Sequence, residues 1–311
     1  MNLGRDKLTQ WNQDIWKQID NAVHDEAKRT RIAMKFIPLF MTTADAKTVP
    51  SDTIDTGDPR KVPVDVLTVE EGLHTAIFEI SVGFALTKQQ VTEMDVSTAV
   101  TLATRATNIL MRAEDTLIFQ GDAALPDRSG QGGEDLFRSG RVLHRNNSFG
   151  TGLLGAIDPD SEDQNVDVKP TDVVDPNKPS KNRYGENTFA AVAEAYSKLQ
   201  SQGHYGPYAL VLEKDVWADS FAPLPTTLIL TADRIIPIVT AGFYGTGTLP
   251  PLTGLLMDLG GNSMDLAVGM DAMTAYLQPD AQRLDQFSVF ERFTLRLKDK
   301  SALVKLNFLR N

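Results

Sequence analysis

Cysteine is absent from the 311-residue chain. That excludes a disulfide scaffold, a thiol nucleophile and a cysteine-ligated metal, and it fits an intracellular origin. Histidine is scarce: His24, His74, His144 and His204 are the whole set. None stands in an i,i+4 pair or an H-E-x-x-H frame, so their spacing gives no support to a metal or general-base cluster, and each is read as a surface or loop residue. No run approaches the ~20 apolar residues that a membrane helix needs. The start, MNLGRDKLTQWNQ, lacks the basic-then-apolar order of a signal peptide. A soluble protein with no membrane partner is expected. Positive charge is in deficit, and the formal net charge of −10 argues against nucleic-acid binding over the whole surface while leaving a local basic face open.

Catalytic signatures are missing as well. Without G-x-S-x-G, serine chemistry lacks its strand–turn–helix setting. The lone G-x-G of GFYGTGTLPP runs into Pro250 and Pro251 rather than a lysine-bearing phosphate loop and a helix, so it reads as a turn. SGQGGED reads as flexible loop. The acidic pairs Asp158 and Asp160, and Glu162 and Asp163, read as a solvated loop in preference to a weak calcium site. No catalytic, cofactor-binding or metal-ligating residue is assigned, and a soluble enzyme is the least favoured class.

What is present is a spine. Residues 94–121, MDVSTAVTLATRATNILMRAEDTLIFQG, carry Val96, Ala99, Val100, Ala103, Ala106, Ile109, Leu110, Ala113 and Leu117 at three- and four-residue steps, which predicts one long two-sided helix. Thr101, Arg105, Asn108, Arg112 and Asp115 fall on other faces. Alanines on the apolar face allow close approach of a sheet, and Ile109, Leu110 and Leu117 bring roughly 1.5–3 kcal/mol each on burial. Gly121 stands where a left-handed cap ends such a helix.

Residues 8–37 form a second helical pattern, with a stripe of Trp11, Ile15, Ile19, Ala22 and Val23, Thr9 as N-cap and Pro38 as the stop. Its charge runs from Asp14, Asp20, Asp25 and Glu26 to Lys28, Arg29, Arg31 and Lys35, complementing the helix dipole. The plain reading is a capped helix with a solvated basic end; the sharper one is a basic patch facing an acidic partner or packaged nucleic acid. Residues 45–72, with Pro50, Gly57, Pro59 and Pro63 among short β-prone pieces, predict an extended two-stranded arm that cannot build its own core and lies on a neighbouring subunit. Residues 74–91 alternate Ile77, Glu79, Ser81, Gly83 against Phe78, Ile80, Val82, Phe84, a half-buried strand leading to the spine.

Residues 122–187 are rich in Gly, Pro, Asp, Asn and Ser and predict a long surface excursion, functional or ordered by a partner, with 136–157 apolar enough to dock on the domain. Residues 188–200 return to helix, with Phe189, Val192, Ala193, Tyr196 and Leu199 on one face and Thr188 or Asn187 as cap. A strand at 208–212 and a short helix bearing Trp217 and Phe221 follow. From 228 the pattern is strands and turns.

The spine ending AEDTLIFQG, a helix, GPYALVLEKDVW, MDLAVGMDAMTAYL and FSVFERFTLRLKDKSALVKL, in that order, resemble the encapsulins and the related major capsid proteins of tailed phages. The resemblance implies an α+β fold of the tailed-phage major capsid (encapsulin-like) type, with an N-terminal helix, an extended loop, a peripheral domain on the long spine helix, and an axial domain. It divides the chain into an N-terminal helical segment (1–44), the extended loop (45–73), the peripheral strand and spine (74–121), a polar insertion (122–187), a mainly axial region (188–272) and C-terminal strands returning to the peripheral domain (273–311). It also sets Glu291 in a strand where encapsulins carry a similar E-x-F-x-x-R pattern, which implies structural roles for Glu291 and Arg296.

The implied function is a shell subunit that self-assembles with many copies of itself in pentamers and hexamers. The long 122–187 excursion places the major capsid protein of a tailed phage or prophage first, enclosing double-stranded DNA with other capsid proteins, in a virion assembled in the bacterial host cytoplasm. The alternative is an encapsulin shell around a cargo enzyme, a bacterial cytoplasmic nanocompartment.

Overall fold

A computed structural model of the chain describes residues 3–55, 68–93, 95–127, 129–146, 148–171, 184–223 and 228–310. In chain order, helix α1 (Gln13–Thr30) precedes strands β1 (Leu39–Met41), β2 (Thr48–Pro50), β3 (Thr53–Asp55), β4 (Thr68–Glu70), β5 (His74–Ala76) and β6 (Phe78–Leu86). Helices α2 (Lys88–Val91), α3 (Ser97–Gln120) and α4 (Asp135–Arg138) follow, then β7 (Leu143–His144), α5 (Gly152–Gly155), β8 (Asn165–Val168) and α6 (Glu186–Ser201). The remainder is β9 (Tyr208–Glu213), α7 (Lys214–Ser220), α8 (Thr231–Ile235), β10 (Gly242–Thr246), β11 (Thr253–Asp258), β12 (Met264–Pro279), β13 (Asp285–Leu297) and β14 (Leu303–Phe308).

Two five-stranded sheets carry the architecture, ordered β1-β12-β13-β6-β7 and β10-β9-β11-β14-β8. The first packs one face on α3 and α1, the larger core; the second packs on α6 around Val192, Ala195, Leu210, Leu256 and Leu306. The polar stretch 122–187 supplies the edge strand of each sheet, β7 beside β6 and β8 beside β14. Phe137, Val142, Phe149, Leu153 and Ile157 from the same stretch are buried in the larger core, so its apolar middle docks as the sequence indicates.

The spine runs from Ser97 to Gln120, about 36 Å at the helical rise. Its first half is two-sided. From Ala113 to Phe119 every residue is buried, because α1, the first sheet and α5 surround that end. Asp115, off the apolar face by its spacing, is nevertheless interior: its carboxylate accepts the backbone N–H of Ile32 and Ala33, receiving the chain just past the end of α1. Gly121 does end the helix, but at φ 61°, ψ −141°, outside the left-handed helical well and open only to glycine. A Cβ there would stand 2.3 Å from the Gly150 carbonyl oxygen, so the glycine also admits the backbone of 150–152.

Other boundaries move for physical reasons. Asn12, not Thr9, caps α1, its side chain accepting from Ile15 N–H. The buried stripe is Trp16, Ile19, Val23 and Ala27, and the chain is already extended at Arg31, well before Pro38. Strand β6 stops at Leu86 because Thr87 and Gln90 form a capping box that starts α2. Helix α6 begins at Glu186, so Thr188 is inside it and buried rather than a cap. Residues 231–235, read as part of a strand-and-turn region, are helix α8, with Ala232 and Ile235 buried.

Candidate assembly arm and its anchor

Between β1 and β6 the chain forms two antiparallel ladders in series. Val49 faces Thr75 in β2–β5, and Ile54 faces Val69 in β3–β4. Gly57, Pro59 and Pro63 of the expected arm lie outside the described residues. Val49 is buried against Ile77 and Ala267 at the root. Further out, Ile54, Val69 and Leu73 are exposed. Two strands alone bury too little to be stable, so this ribbon depends on its root and on whatever covers its apolar side chains.

The root is held by β13. Arg292 donates to the carbonyl oxygens of Ala44 and Ala46, the latter at 2.8 Å. Arg296 donates to Asp265 through Nε and Nη2 at 2.6 and 2.7 Å, a fork that fits a carboxylate's two oxygens. Its Nη1 donates to the Pro50 carbonyl at 2.9 Å, and its guanidinium lies 4.0 Å from the centre of the Phe40 ring. Lys298 Nζ lies 2.9 Å from Asp265 Oδ2, the oxygen that also accepts Arg296 Nη2, and Ile54 N–H donates to the Lys298 carbonyl. The arm's direction is thus fixed by hydrogen bonds to its main chain as far as residue 54.

Strand side chains alternate between faces, so Arg292 and Arg296 point to the arm while Glu291 points to the helices. Arg296 has the structural role implied for it. Glu291 is fully buried and makes no hydrogen bond. Beside the arm, β1 is an edge strand whose Leu39, Phe40 and Met41 are all exposed, an open edge of the kind that pairs with another chain. A second apolar surface lies at the far sheet, where Leu228 is 93% exposed beside Ile229 and Ile236.

His24, His74 and His144 are exposed. His204 is in a loop, but its ring is enclosed: Nδ1 lies 3.0 Å from Asp258 Oδ2 and Nε2 2.9 Å from Ser301 Oγ. The arrangement has the order of a serine–histidine–aspartate triad without its proton direction. The Ser301 hydroxyl donates to Asp299 at 2.5 Å, so His204 meets an oxygen lone pair instead of a transferable proton. It ties the loop after α6 to the ends of β11 and β14. Among the described residues, no helix is long and apolar enough to cross a membrane.

A spine helix under one sheet, a second sheet beyond it and an arm projecting from the first sheet define the fold of the tailed-phage capsid and encapsulin superfamily. The chain belongs to the Linocin_M18 family, described as encapsulating protein for peroxidase, whose model matches residues 1–126 and 174–294. The interval between the two matched pieces, residues 127–173, falls inside the polar stretch. A type 1 encapsulin shell protein, EncA of Myxococcus xanthus, is 36% identical over 119 residues, 38% of this chain and 41% of that protein, so the match spans less than half of the relative's length. A diheme-cytochrome-encapsulin shell fusion protein of Kuenenia stuttgartiensis is 25% identical over 313 residues, 95% of this chain and 73% of that one. In structure, the chain resembles the virus-like particle from Pyrococcus furiosus with a TM-score of 0.61 at 16% identity, covering 94% of this chain and 99% of the other. The capsid of Myoviridae phage XM1 gives 0.57 at 10% identity, with 89% and 91% covered.

Proposed function

We propose that the protein is an encapsulin shell subunit: many copies close into an icosahedral shell around a protein cargo in a bacterial cytoplasm. The observation that carries this is the arm, a ribbon too thin to stand alone, clamped at its root and bare at Ile54 and Val69. An arm so built covers its apolar residues by lying across the next copy, where it extends a sheet edge or caps a helix. Closed symmetry then repeats one such contact around each axis, and the exposed apolar surfaces at β1 and at 228–236 supply further self-complementary patches.

The tailed-phage reading, placed first on the length of the 122–187 excursion, is the weaker one. The family match is to an encapsulating protein and the two relatives named above are encapsulin shell proteins, whereas the resemblance to a phage capsid is one of fold. The described parts of the excursion pack into both sheets, which gives no separate support to a large virion. Deleting residues 50–66 should leave a folded subunit, shown by an unchanged cooperative melting transition, that forms no closed particle in electron micrographs. Normal shells from the deleted chain would refute the arm's role.

A further inference from the structure

Where α1 ends, four distant segments bring together a group of charges that does not balance. Arg31 Nη2 donates to Asp271 Oδ1 at 2.7 Å, and its other nitrogens reach thioether sulfurs, Nη1 to Met34 at 2.7 Å and Nε to Met111 at 3.3 Å. Glu114 of the spine and Glu291 of β13 lie 3.8 and 3.7 Å from the same guanidinium, beyond hydrogen-bond reach. Both are fully buried and all four of their carboxyl oxygens lack a hydrogen-bond partner. Asp271 reaches the group because β12 bulges between Met270 and Met273, across from Glu291.

We infer that Glu114 and Glu291 retain a proton between the two of them at neutral pH and form a latch that holds the end of α1 against the spine, and that loss of this proton in alkaline solution releases α1. One guanidinium already committed to Asp271 cannot also neutralise two further buried carboxylates, and a buried uncompensated charge is far costlier than a protonated acid. Burial raises both acids: Glu114 stands well above the usual carboxylate range, with repulsion from Glu291 adding to it, and Glu291 is pushed to about 8, with repulsion from Asp271 and Asp115 adding to it.

The other groups on this site are few. The turn after α1 brings Lys35, α1 itself brings His24 on the Asp271 side, and the spine brings Asp115. Asp115 is lifted by burial against its two amide donors from Ile32 and Ala33. Strand β6 presents Ile80 opposite Glu291 and adds no charge.

The sign follows from the raised values. With α1 released, both glutamates ionise near the ordinary ~4.4, so the closed form binds more protons than the open one, and rising pH favours opening. Amide hydrogen exchange of residues 24–33, measured on the full chain from pH 6 to 9 and corrected for intrinsic rates, should show the opening constant climbing about tenfold per pH unit up to roughly pH 8, then levelling. The Glu114→Gln/Glu291→Gln double variant, which keeps Asp115, should show a clearly shallower climb. A variant as steep as the wild type, or a wild type whose α1 protection is independent of pH, would overturn the latch. Should the variant not fold, infrared spectra of the wild type decide: the proposal requires a protonated carboxyl band at pH 7 that fades by pH 9, and a spectrum without it overturns the retained proton.

Discussion

On the arm side of the first sheet, Asp265 stands beside two cations, Arg296 and Lys298, and each of the three nitrogens of Arg296 donates to an oxygen. On the helix side, Arg31 stands among Glu114, Asp271 and Glu291, and two of those three carboxylates have no donor. Arg296, Asp265, Arg31, Glu114 and Glu291 are all buried while Asp271 is partly exposed, and both clusters join the paired strands β12 and β13 to a segment outside the sheet. The first has more positive charge than its acid needs and has rigid, forked geometry; it suits a joint that must keep one angle. The second is short of positive charge and balances only by holding a proton; it suits a joint whose strength varies with pH.

The sharpest break of this comparison is Arg296→Ala. Removing one member of a buried, forked pair leaves Asp265 with only Lys298 and should cost about 3–5 kcal/mol. The loss should be nearly constant from pH 6 to 9, read from denaturant midpoints at unchanged slope. Arg31→Met should cost a similar amount at pH 8 but distinctly less at pH 5, because carboxyls that have taken up protons no longer need the guanidinium. The sign agrees with Asp271, which Arg31 holds below the usual carboxylate range, so their pairing weakens as pH falls toward that acid's value. Equal losses at both pH values would erase the distinction between the two joints. At the small end, Ile54→Asp changes an exposed side chain and keeps the backbone hydrogen bond to Lys298, so it should move stability by no more than about 0.5 kcal/mol. It should nevertheless reduce particle yield sharply in size-exclusion chromatography, because the proposed function puts the exposed ladder pair Ile54–Val69 in the contact between copies.

How much of this was legible beforehand differs by element. The spine and β6 announce themselves by period, 3.6 and 2, since in each one face is buried by neighbours of ordinary apolar type. The arm is legible from its prolines and its lack of core residues. The latch is not. Glu114 and Asp115 sit in AEDTLIF, where local rules put acids on a solvated face; what buries them is the packing of α1, the first sheet and α5 on the spine, and the charges gathered there come from far apart, with a separation of 240 between Arg31 and Asp271. The E-x-F-x-x-R resemblance marks Glu291 and Arg296 as structural, yet alternation along a strand sends them to opposite faces and different joints. Strand β8 is invisible for another reason: NVDV is too short and polar to declare a strand until β14 offers it an edge.

Electron microscopy of the full chain, produced without any other component, is the most direct test of the shell assignment. The account predicts small, uniform, closed particles. Large or irregular shells, or assembly only in the presence of other phage proteins, would contradict the encapsulin reading in favour of the viral one, and a chain that stays monomeric or dimeric at all concentrations would contradict shell formation itself.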